Sequence, residues 1–285
     1  MEKFKENAIE SREKKPLFED LTIFTTTFYG DDETSQVRSA LALKLFENAE
    51  KLGIKCVIVD GGSNKTFLEK VSEYKNVELS AQTARGMGAG RREALSIASE
   101  EFSNPASKHF FLWVEPEKDG LITEENLSKM IESLREGNSD IVVPLRGEKG
   151  MDSLPRFQAW IEERANKKAS QLIGKNVTEE EAEGVWDIWF GPKMFNQKGL
   201  KYFLEYKGEL DKWDSVIKPV MEAYEGGAKI ASVPVDFAYD ESQKSNEEND
   251  RNFKMKRIEQ YAMILSEMGD KFLKRKIEEY KYKKE

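Results

Sequence analysis

The sequence predicts an α/β fold in which a mainly parallel central sheet has helices on both faces, as a three-layer sandwich. Short runs of β-branched and aromatic residues alternate along the chain with segments whose apolar residues recur at helical spacing. Strands joined through helices make right-handed crossovers, which leave neighbouring strands parallel. The chain has 285 residues, of which 39% are hydrophobic, and this is enough for one large domain of this kind.

Five strands are predicted in the first half of the chain, each as a run of apolar, β-branched or aromatic residues. They span Leu21–Phe28, Lys55–Asp60, Val77–Ser80, Phe110–Val114 and Asp140–Pro144. The segments between them have apolar residues at helical spacing and are predicted as helices over Gln36–Leu52, Lys65–Tyr74, Gly90–Glu101 and Thr123–Arg135. Gly53 and Gly137 stand where the first and the last of these helices end.

The second half of the chain has a less regular pattern. The predicted elements are helices over Pro155–Ile173 and Asp211–Glu225, a buried strand or turn over Val185–Gly191, a strand over Lys229–Ala238, a polar loop over Asp240–Asp250 and a helix over Phe253–Tyr280. No internal repeat and no linker rich in proline, glycine or serine interrupts the chain. The sequence therefore favours one domain.

Composition and charge exclude several classes of function. The 53 acidic and 45 basic residues give a net charge of -8, which argues against nucleic acid as a partner. Cys56 is the only cysteine and lies in an apolar run, so a buried inert thiol is predicted. No apolar stretch approaches the ~20 residues of a transmembrane helix, and the first residues lack the apolar core of a secretory signal. We expect a cytoplasmic protein.

The most informative segment is the fourth strand, which ends abruptly in acidic residues. Phe110–Val114 is followed by Glu115, Glu117 and Asp119 at alternate positions. Open α/β sheets bind ligands at the carboxyl ends of their strands. Carboxylates two residues apart can share a divalent cation and leave its other positions free for substrate phosphates. Glu115 and Glu117 are therefore predicted ligands of Mg²⁺ or Mn²⁺, the alternative being an acidic turn before the next helix.

Polar groups also follow the first two strands. Hydroxyl groups and an aromatic ring at the end of the first strand are candidate contacts for a base or a ribose, although threonine is common in strands for its own sake. These residues are Thr25, Thr26, Thr27 and Tyr29. After the second strand, Asp60 is a candidate acceptor for a ribose or base hydrogen bond, and Gly61 allows the backbone to approach a ligand closely. The alternative is a glycine turn capped by Ser63 or Asn64.

A glycine-rich segment leads into the third helix. Gly86, Gly88 and Gly90 alternate with other residues, and Arg85 and Arg91 flank them. Glycines at a helix start expose backbone N–H donors, and guanidinium groups beside them complement a diphosphate. The segment matches neither the phosphate loop of ATPases nor the dinucleotide fingerprint, because the glycines follow the third strand and no Gly-Lys-Ser or Gly-Lys-Thr is present.

Taken in order, these motifs resemble those of the family 2 glycosyltransferases of the GT-A fold. The similarity spans about Leu21 to Phe237. It rests on the second-strand segment 57–63, the glycine-rich segment 86–94, Glu115-Pro116-Glu117 where the family carries Asp-x-Asp, the acceptor-side segment 186–191 and the segment 210–214. The chain departs from the family pattern in two ways. Gly61 replaces the second of two aspartates, and glutamates replace both aspartates of the metal motif.

The resemblance implies transfer of a sugar from a nucleoside-diphosphate donor to an acceptor hydroxyl, assisted by Mg²⁺ or Mn²⁺ and with inversion. An inverting transfer needs a base for the acceptor hydroxyl. The chain's only histidine, His109, precedes the fourth strand, away from the ligand end, so the base is expected to be a carboxylate. Asp214 is the predicted base because Trp213 lies beside it, and Asp187 and Asp211 are the alternatives. A non-catalytic nucleotide- or sugar-binding protein and a sugar-phosphate nucleotidyltransferase remain rival interpretations.

The predicted organisation has three parts. Residues 1–20 form a peripheral helix or frayed segment. Residues 21–240 form the GT-A-like domain, with a nucleotide-binding half over 21–145 and an acceptor half over 146–240. Residues 241–285 form a loop and a helix that packs on the domain, and Gln243 lies in a loop that could close over the donor phosphates. The partners are then a nucleotide sugar and an acceptor, with homo-oligomerisation left open.

Overall fold

Seven strands form one sheet at the centre of the computed structural model, which describes residues 18–102, 104, 107–136, 139–172, 185–208, 211–262, 265–266 and 269. The strands are β1 (Leu21–Thr27), β2 (Lys55–Asp60), β3 (Val77–Ala81), β4 (Phe110–Trp113), β5 (Ile141–Arg146), β6 (Lys193–Phe195) and β7 (Ile230–Val235). Their order is β3-β2-β1-β4-β6-β5-β7, and β6 alone pairs antiparallel, with β4 and β5. The predicted mainly parallel α/β sheet is confirmed.

Helices cover both faces of this sheet. They are α1 (Glu33–Lys51), α2 (Lys65–Val71), α3 (Met87–Ser99), α4 (Glu124–Arg135), α5 (Glu148–Asp152), α6 (Arg156–Leu172), α7 (Gln197–Leu204), α8 (Asp214–Glu225) and α9 (Glu241–Glu248). Residues 251–262 are also helical. None of the helices in the described part of the chain is long and apolar enough to cross a membrane.

Two apolar clusters, one on each face of the sheet, make the three layers. Successive strand residues point to opposite faces, so Ile23 joins one cluster and Phe24 the other. The first cluster holds buried residues of α1, α2 and α4, and the second holds those of α3, α6, α7 and α8. All four residues of β4 are buried, which explains its uninterrupted apolar sequence.

Two buried residues behave as the sequence predicts. Cys56 is fully buried in β2, and burial raises the pKa of its thiol, so it is an inert core residue. The Nε2 atom of His109 lies 2.8 Å from the Thr22 hydroxyl, and its ring stacks on Phe102. Burial lowers the pKa of His109 to about 4, so the ring is neutral at pH 7. Its Nε2 atom has a hydrogen-bond partner inside the protein.

The structure differs from the prediction in several elements. Residues 241–248 form helix α9 where a polar loop was predicted. Asp240 caps this helix by accepting from the backbone N–H groups of Ser242 and Gln243, and the residues that α9 buries, Gln243 and Glu247, are polar. Since they are polar, no apolar periodicity revealed the helix. Strand β6 and helices α5 and α7 were not predicted because they are short, between three and eight residues.

Some predictions fall outside the described residues. The peripheral helix or frayed segment was predicted over residues 1–20, of which residues 1–17 are outside the described part of the chain. Nearly all of the predicted helix Phe253–Tyr280 beyond residue 262 is outside it as well. The division of the domain into a nucleotide half and an acceptor half stays a prediction.

Candidate active site

A cavity of about 750 Å³ opens where β1, β2 and β4 end. It lies at the carboxyl edge of these parallel strands, as expected for an open α/β sheet. The predicted site residues that line it are Thr26, Thr27, Tyr29, Gly61, Arg85, Gly86, Arg91, Glu115 and Glu117. The acidic segment after β4, the glycine turn after β2 and the start of α3 therefore face the same cavity.

Glu117 is the more enclosed of the two predicted metal ligands. Its Oε1 atom lies 2.8 Å from Nη2 of Arg38, and it accepts a hydrogen bond of 3.0 Å from the hydroxyl of Tyr29. Burial, and next the charge of Glu117, raise the pKa of Tyr29 well above its usual value, so this phenol stays protonated and donates. One guanidinium cation and one phenol thus hold the Glu117 carboxylate.

The carboxylate of Glu115, in contrast, has one oxygen without a hydrogen bond to any described residue. This atom, Oε2, is buried. Gly191 packs directly on this carboxylate, because a Cβ atom at position 191 would lie 1.7 Å from Oε1 of Glu115. Buried carboxylate oxygens are nearly always paired, so an orphan on the wall of a cavity points to a ligand.

The two glutamates differ in how well each could bind a divalent cation. The orphan oxygen of Glu115 is a suitable ligand, whereas Glu117 already carries the guanidinium of Arg38. Within the described ranges, no three acidic, histidine or cysteine side chains converge where they could hold a metal ion. As placed here, the two glutamates do not form a site with two free carboxylates, and the predicted site at Glu115 and Glu117 stays a prediction.

Asp60 and two of the threonines hold the loops beside the cavity. Asp60 accepts hydrogen bonds from the hydroxyl of Thr27 at 2.7 Å and from the backbone N–H groups of Gly62 and Ser63, each at 2.8 Å. Gly62 has a φ of 110°, which suits glycine alone. Thr25 donates to the carbonyl of Val114 at 2.6 Å and so fixes the end of β4. Asp60 and Thr25 are not in the cavity lining.

Two different steric requirements explain the three glycines of the segment before α3. Gly86 lies at the cavity with a φ of 111° and caps α3 without a side-chain hydrogen bond. A Cβ atom at Gly88 would lie 2.0 Å from Oδ1 of Asp211, and one at Gly90 would lie 3.0 Å from Oε1 of Gln82. Gly88 and Gly90 therefore allow close packing, and Gly86 is the glycine that faces the cavity.

Arg91 is a buried cation on the cavity wall. Its Nη1 atom donates to the hydroxyl of Ser215 at 2.7 Å and to the carbonyl of Lys212, and its guanidinium lies 4.9 Å from the ring centroid of Trp113. Burial lowers the pKa of Arg91 to about 10, so it remains charged at pH 7. Its Nε atom and the indole N–H of Trp113 are buried donors without partners in the described part of the chain.

The three predicted catalytic acids lie outside the cavity lining. Asp214, the first residue of α8, is buried and accepts from the hydroxyl of Tyr206 at 2.5 Å and from the backbone N–H of Lys212 at 2.7 Å. Asp211 makes a two-pronged ion pair with Arg92, at 2.5 and 2.6 Å. Asp214 is nevertheless close to the cavity residue Arg91, because Asp214 accepts from the backbone N–H of Lys212 and Arg91 donates to the carbonyl of the same residue.

Asp187 belongs to a buried ion-pair network. It accepts from Nε and Nη2 of Arg146 at 2.7 and 2.8 Å and from the amide of Asn166 at 2.8 Å. Burial alone would raise the pKa of Asp187, but the charge and hydrogen bonds of Arg146 outweigh burial and lower it. Gln243 likewise faces inward and donates to Glu247 at 3.1 Å. Neither residue reaches the cavity lining.

Nine of the described lining residues were absent from the predicted site, and Phe28, Arg38 and Lys256 are three of them. Phe28 is 72% exposed and lies at the cavity mouth, Arg38 comes from α1, and Lys256 comes from the helix over residues 251–262. Phe28 stands inside the first-strand motif, so its aromatic ring was a usable signal. Arg38 is a single basic residue on a helix with many charges, and nothing in the sequence distinguishes it from a surface residue. Lys256 belongs to a group of basic residues, Arg251 to Arg257, which follows the polar loop and for which a solvated helix face was the favoured interpretation.

The chain has the fold of the GT-A-type glycosyltransferases. Structures of glucosyl-3-phosphoglycerate synthase from Mycobacterium tuberculosis have this fold. The complex with Mn²⁺, UDP-glucose and phosphoglyceric acid superposes with a TM-score of 0.55 and 10% identity, over 87% of this chain and 79% of that chain. The complex with Mn²⁺, UDP and phosphoglyceric acid gives 0.53 and 8%, over 85% and 78%.

The family is defined by sequence as well. The family model described as glycosyl transferase family 2 matches residues 37–203, and the chain belongs to this family. No curated protein matches the chain in sequence. The protein is thus a member of glycosyl transferase family 2 with the GT-A fold.

Proposed function

We propose that the protein transfers a sugar from a nucleoside-diphosphate donor bound in this cavity to an acceptor hydroxyl. The proposal rests on one observation, that three segments line the same cavity. They are the glutamates after β4, the glycine turn after β2 and the start of α3, which has no side-chain cap. A nucleotide needs a surface for its base and cations for its diphosphate, and the cavity offers both.

The base is proposed to stack on Phe28. This ring is exposed at the cavity mouth and lies beside the glycine turn, since Cβ atoms built at Gly61 and Gly62 would lie 3.6 and 4.0 Å from it. An exposed aromatic ring at a cavity is a stacking surface for a base. The hydroxyl of Thr26, which also lines the cavity, is then a candidate contact for the ribose.

The diphosphate is proposed to lie toward the cationic side. Four cationic and two anionic side chains are in the described lining, so positive charges exceed negative ones by two. The cations are Arg38, Arg85, Arg91 and Lys256. The start of α3 adds backbone N–H groups and the positive end of a helix dipole. This charge balances the two negative charges of a sugar diphosphate and stabilises the leaving group as the bond to the sugar breaks.

Asp214 is retained as the proposed base. It is held by a phenol and a backbone N–H, whereas Asp187 and Asp211 are held by arginines. A base takes the proton of the acceptor hydroxyl while that oxygen attacks the anomeric carbon, and the nucleoside diphosphate leaves from the opposite face. The sugar is then transferred with inversion.

The test is a panel of UDP-, GDP-, ADP- and CDP-sugars. Binding of each nucleotide is measured by calorimetry, and sugar-containing products are measured by mass spectrometry in the presence of acceptor mixtures. We expect one nucleotide to bind and its sugar to be transferred, with transfer lost in Asp214→Asn and retained in Asp236→Asn, a matched change of an exposed aspartate. Binding without transfer or donor hydrolysis would indicate a non-catalytic binding protein. Failure of every nucleotide to bind would refute the proposal.

A further inference from the structure

We propose that the guanidinium of Arg38, held by Glu117, supplies the positive charge that a divalent cation would supply beside the donor diphosphate, so that a nucleoside diphosphate binds without metal. This inference rests on the proposed function, because it concerns the diphosphate of the proposed donor. It follows from a disagreement between the site and the fold relatives, whose complexes contain Mn²⁺.

The Glu117 carboxylate contacts a guanidinium and a phenol of the protein itself. Arg38 Nη2 lies 2.8 Å from Glu117 Oε1, and the side chain of Glu117 is only 5% exposed. Tyr29 donates to the same oxygen. A divalent cation on this oxygen would have to displace the guanidinium or lie against its positive charge. The carboxylate is therefore already neutralised by a cation that belongs to the chain.

Arg38 also has donor capacity left for a ligand. Its side chain is 39% exposed and lines the cavity, while its Nε atom is buried and has no hydrogen-bond partner in the described part of the chain. A guanidinium offers five N–H donors in one plane, which suits the oxygens of a phosphate. Glu117 fixes the direction of this group, so little side-chain freedom is lost when a phosphate binds.

Other charged side chains also line the cavity. Lys256 lies close enough to Arg38 for the two like charges to repel, and it lines the same cavity. A diphosphate between them would relieve this repulsion. Arg38 is one of four cationic side chains in the described lining, and against Glu115 and Glu117 these four leave the excess of two positive charges that a sugar diphosphate balances. No further cation is needed for neutrality.

The experiment measures binding of UDP, GDP, ADP and CDP by calorimetry, first in EDTA and then in Mn²⁺. For the nucleotide that binds the wild-type protein, we expect dissociation constants that agree within about twofold in the two buffers. Arg38→Gln removes the cation and frees Glu117, so its affinity in EDTA should fall at least about tenfold, the loss typical of a charged hydrogen bond. Mn²⁺ should then restore part of the affinity. Lys44→Gln, an exposed change on the same helix, is the matched control and should bind as the wild type does.

The outcomes separate this inference from the proposed function. Wild-type binding that requires Mn²⁺, or Arg38→Gln binding in EDTA that equals the wild type, overturns the role of Arg38 and leaves the proposed function standing. Absence of binding by every nucleotide in both buffers overturns both. The wild-type comparison needs no variant, so the inference can be refuted even if Arg38→Gln does not fold.

Discussion

Replacing Asp187 with alanine is expected to lower the free energy of unfolding by about 3–5 kcal/mol, because it leaves the buried guanidinium of Arg146 with one carboxylate where it now has two. The side chains of Arg146 and Asp187 are 1% and 3% exposed, so water cannot replace the lost partner. Two charged hydrogen bonds from Arg146 and one from Asn166 are lost together. Glu162, at 2.7 Å, remains and keeps Arg146 from being fully unpaired.

The pH dependence of stability provides a second signature of the same pair. Arg146 lowers the pKa of Asp187 below the value of about 3.9 that it has when unfolded. A group with a depressed folded pKa contributes stability that is fully present above the unfolded pKa and is lost as the pH falls through the folded pKa. The contribution of Asp187 is therefore constant from neutral pH to about pH 5 and is lost progressively as the pH falls below about 4 toward the folded pKa. Asp187→Asn should flatten this acid loss.

Urea unfolding followed by tryptophan fluorescence, at pH 7 and at steps down to pH 3, measures both effects. Asp236→Ala is the matched control, since Asp236 forms an ion pair with Lys149 in which both side chains are more than 70% exposed. Such a surface pair contributes about 0–1 kcal/mol. A loss below about 1 kcal/mol in Asp187→Ala would refute the structural role. So would an Asp187→Asn variant of wild-type stability that had lost transfer, because Asp187 would then be acting as a base.

Three further changes probe the cavity. Gly191→Ala should displace the Glu115 carboxylate, because the new Cβ atom would meet it at 1.7 Å, and initial-rate assays should show transfer reduced at least about tenfold; an unchanged rate would show that Glu115 has no role. Asp214→Asn should lower kcat by about 10²–10⁴ while calorimetry shows the nucleotide still binding, whereas near wild-type kcat would remove Asp214 as the base. Phe28→Ala should weaken nucleotide binding by about 5- to 150-fold, and Phe28→Tyr should bind as the wild type does; equal affinity for all three would place the base elsewhere.

The regular part of the fold follows from local sequence. Strand β2 spans the predicted residues, Lys55–Asp60, because its apolar run is bounded by polar residues at both ends. Helix α1 begins at Glu33, three residues before its predicted start, because Asp32 caps it by accepting from the N–H of Ser35. Such a cap precedes the first apolar residue of the helix, so the apolar periodicity alone places the start too late.

The composition of the cavity was only partly predictable. Residues at the carboxyl ends of parallel strands meet by topology, so the amino-acid pattern is enough to expect Glu115 and Gly61 at one edge of the sheet. The roles of the glycines before α3 do not follow from the pattern, because Gly88 and Gly90 are explained by the close approach of Asp211 and Gln82. Asp211 follows Gly88 by more than a hundred residues.

By itself, the sequence determined the parallel α/β order, the buried fourth strand and the acids that follow it, because these depend on the period of side chains along one element and on the direction of neighbouring strands. Only the tertiary structure decided which charges are paired. Glu117 meets Arg38, Asp187 meets Arg146 and Asp211 meets Arg92, although each partner is distant along the chain. Ion pairs act through space over a few ångströms, and the spacing of residues along a sequence carries no such distance.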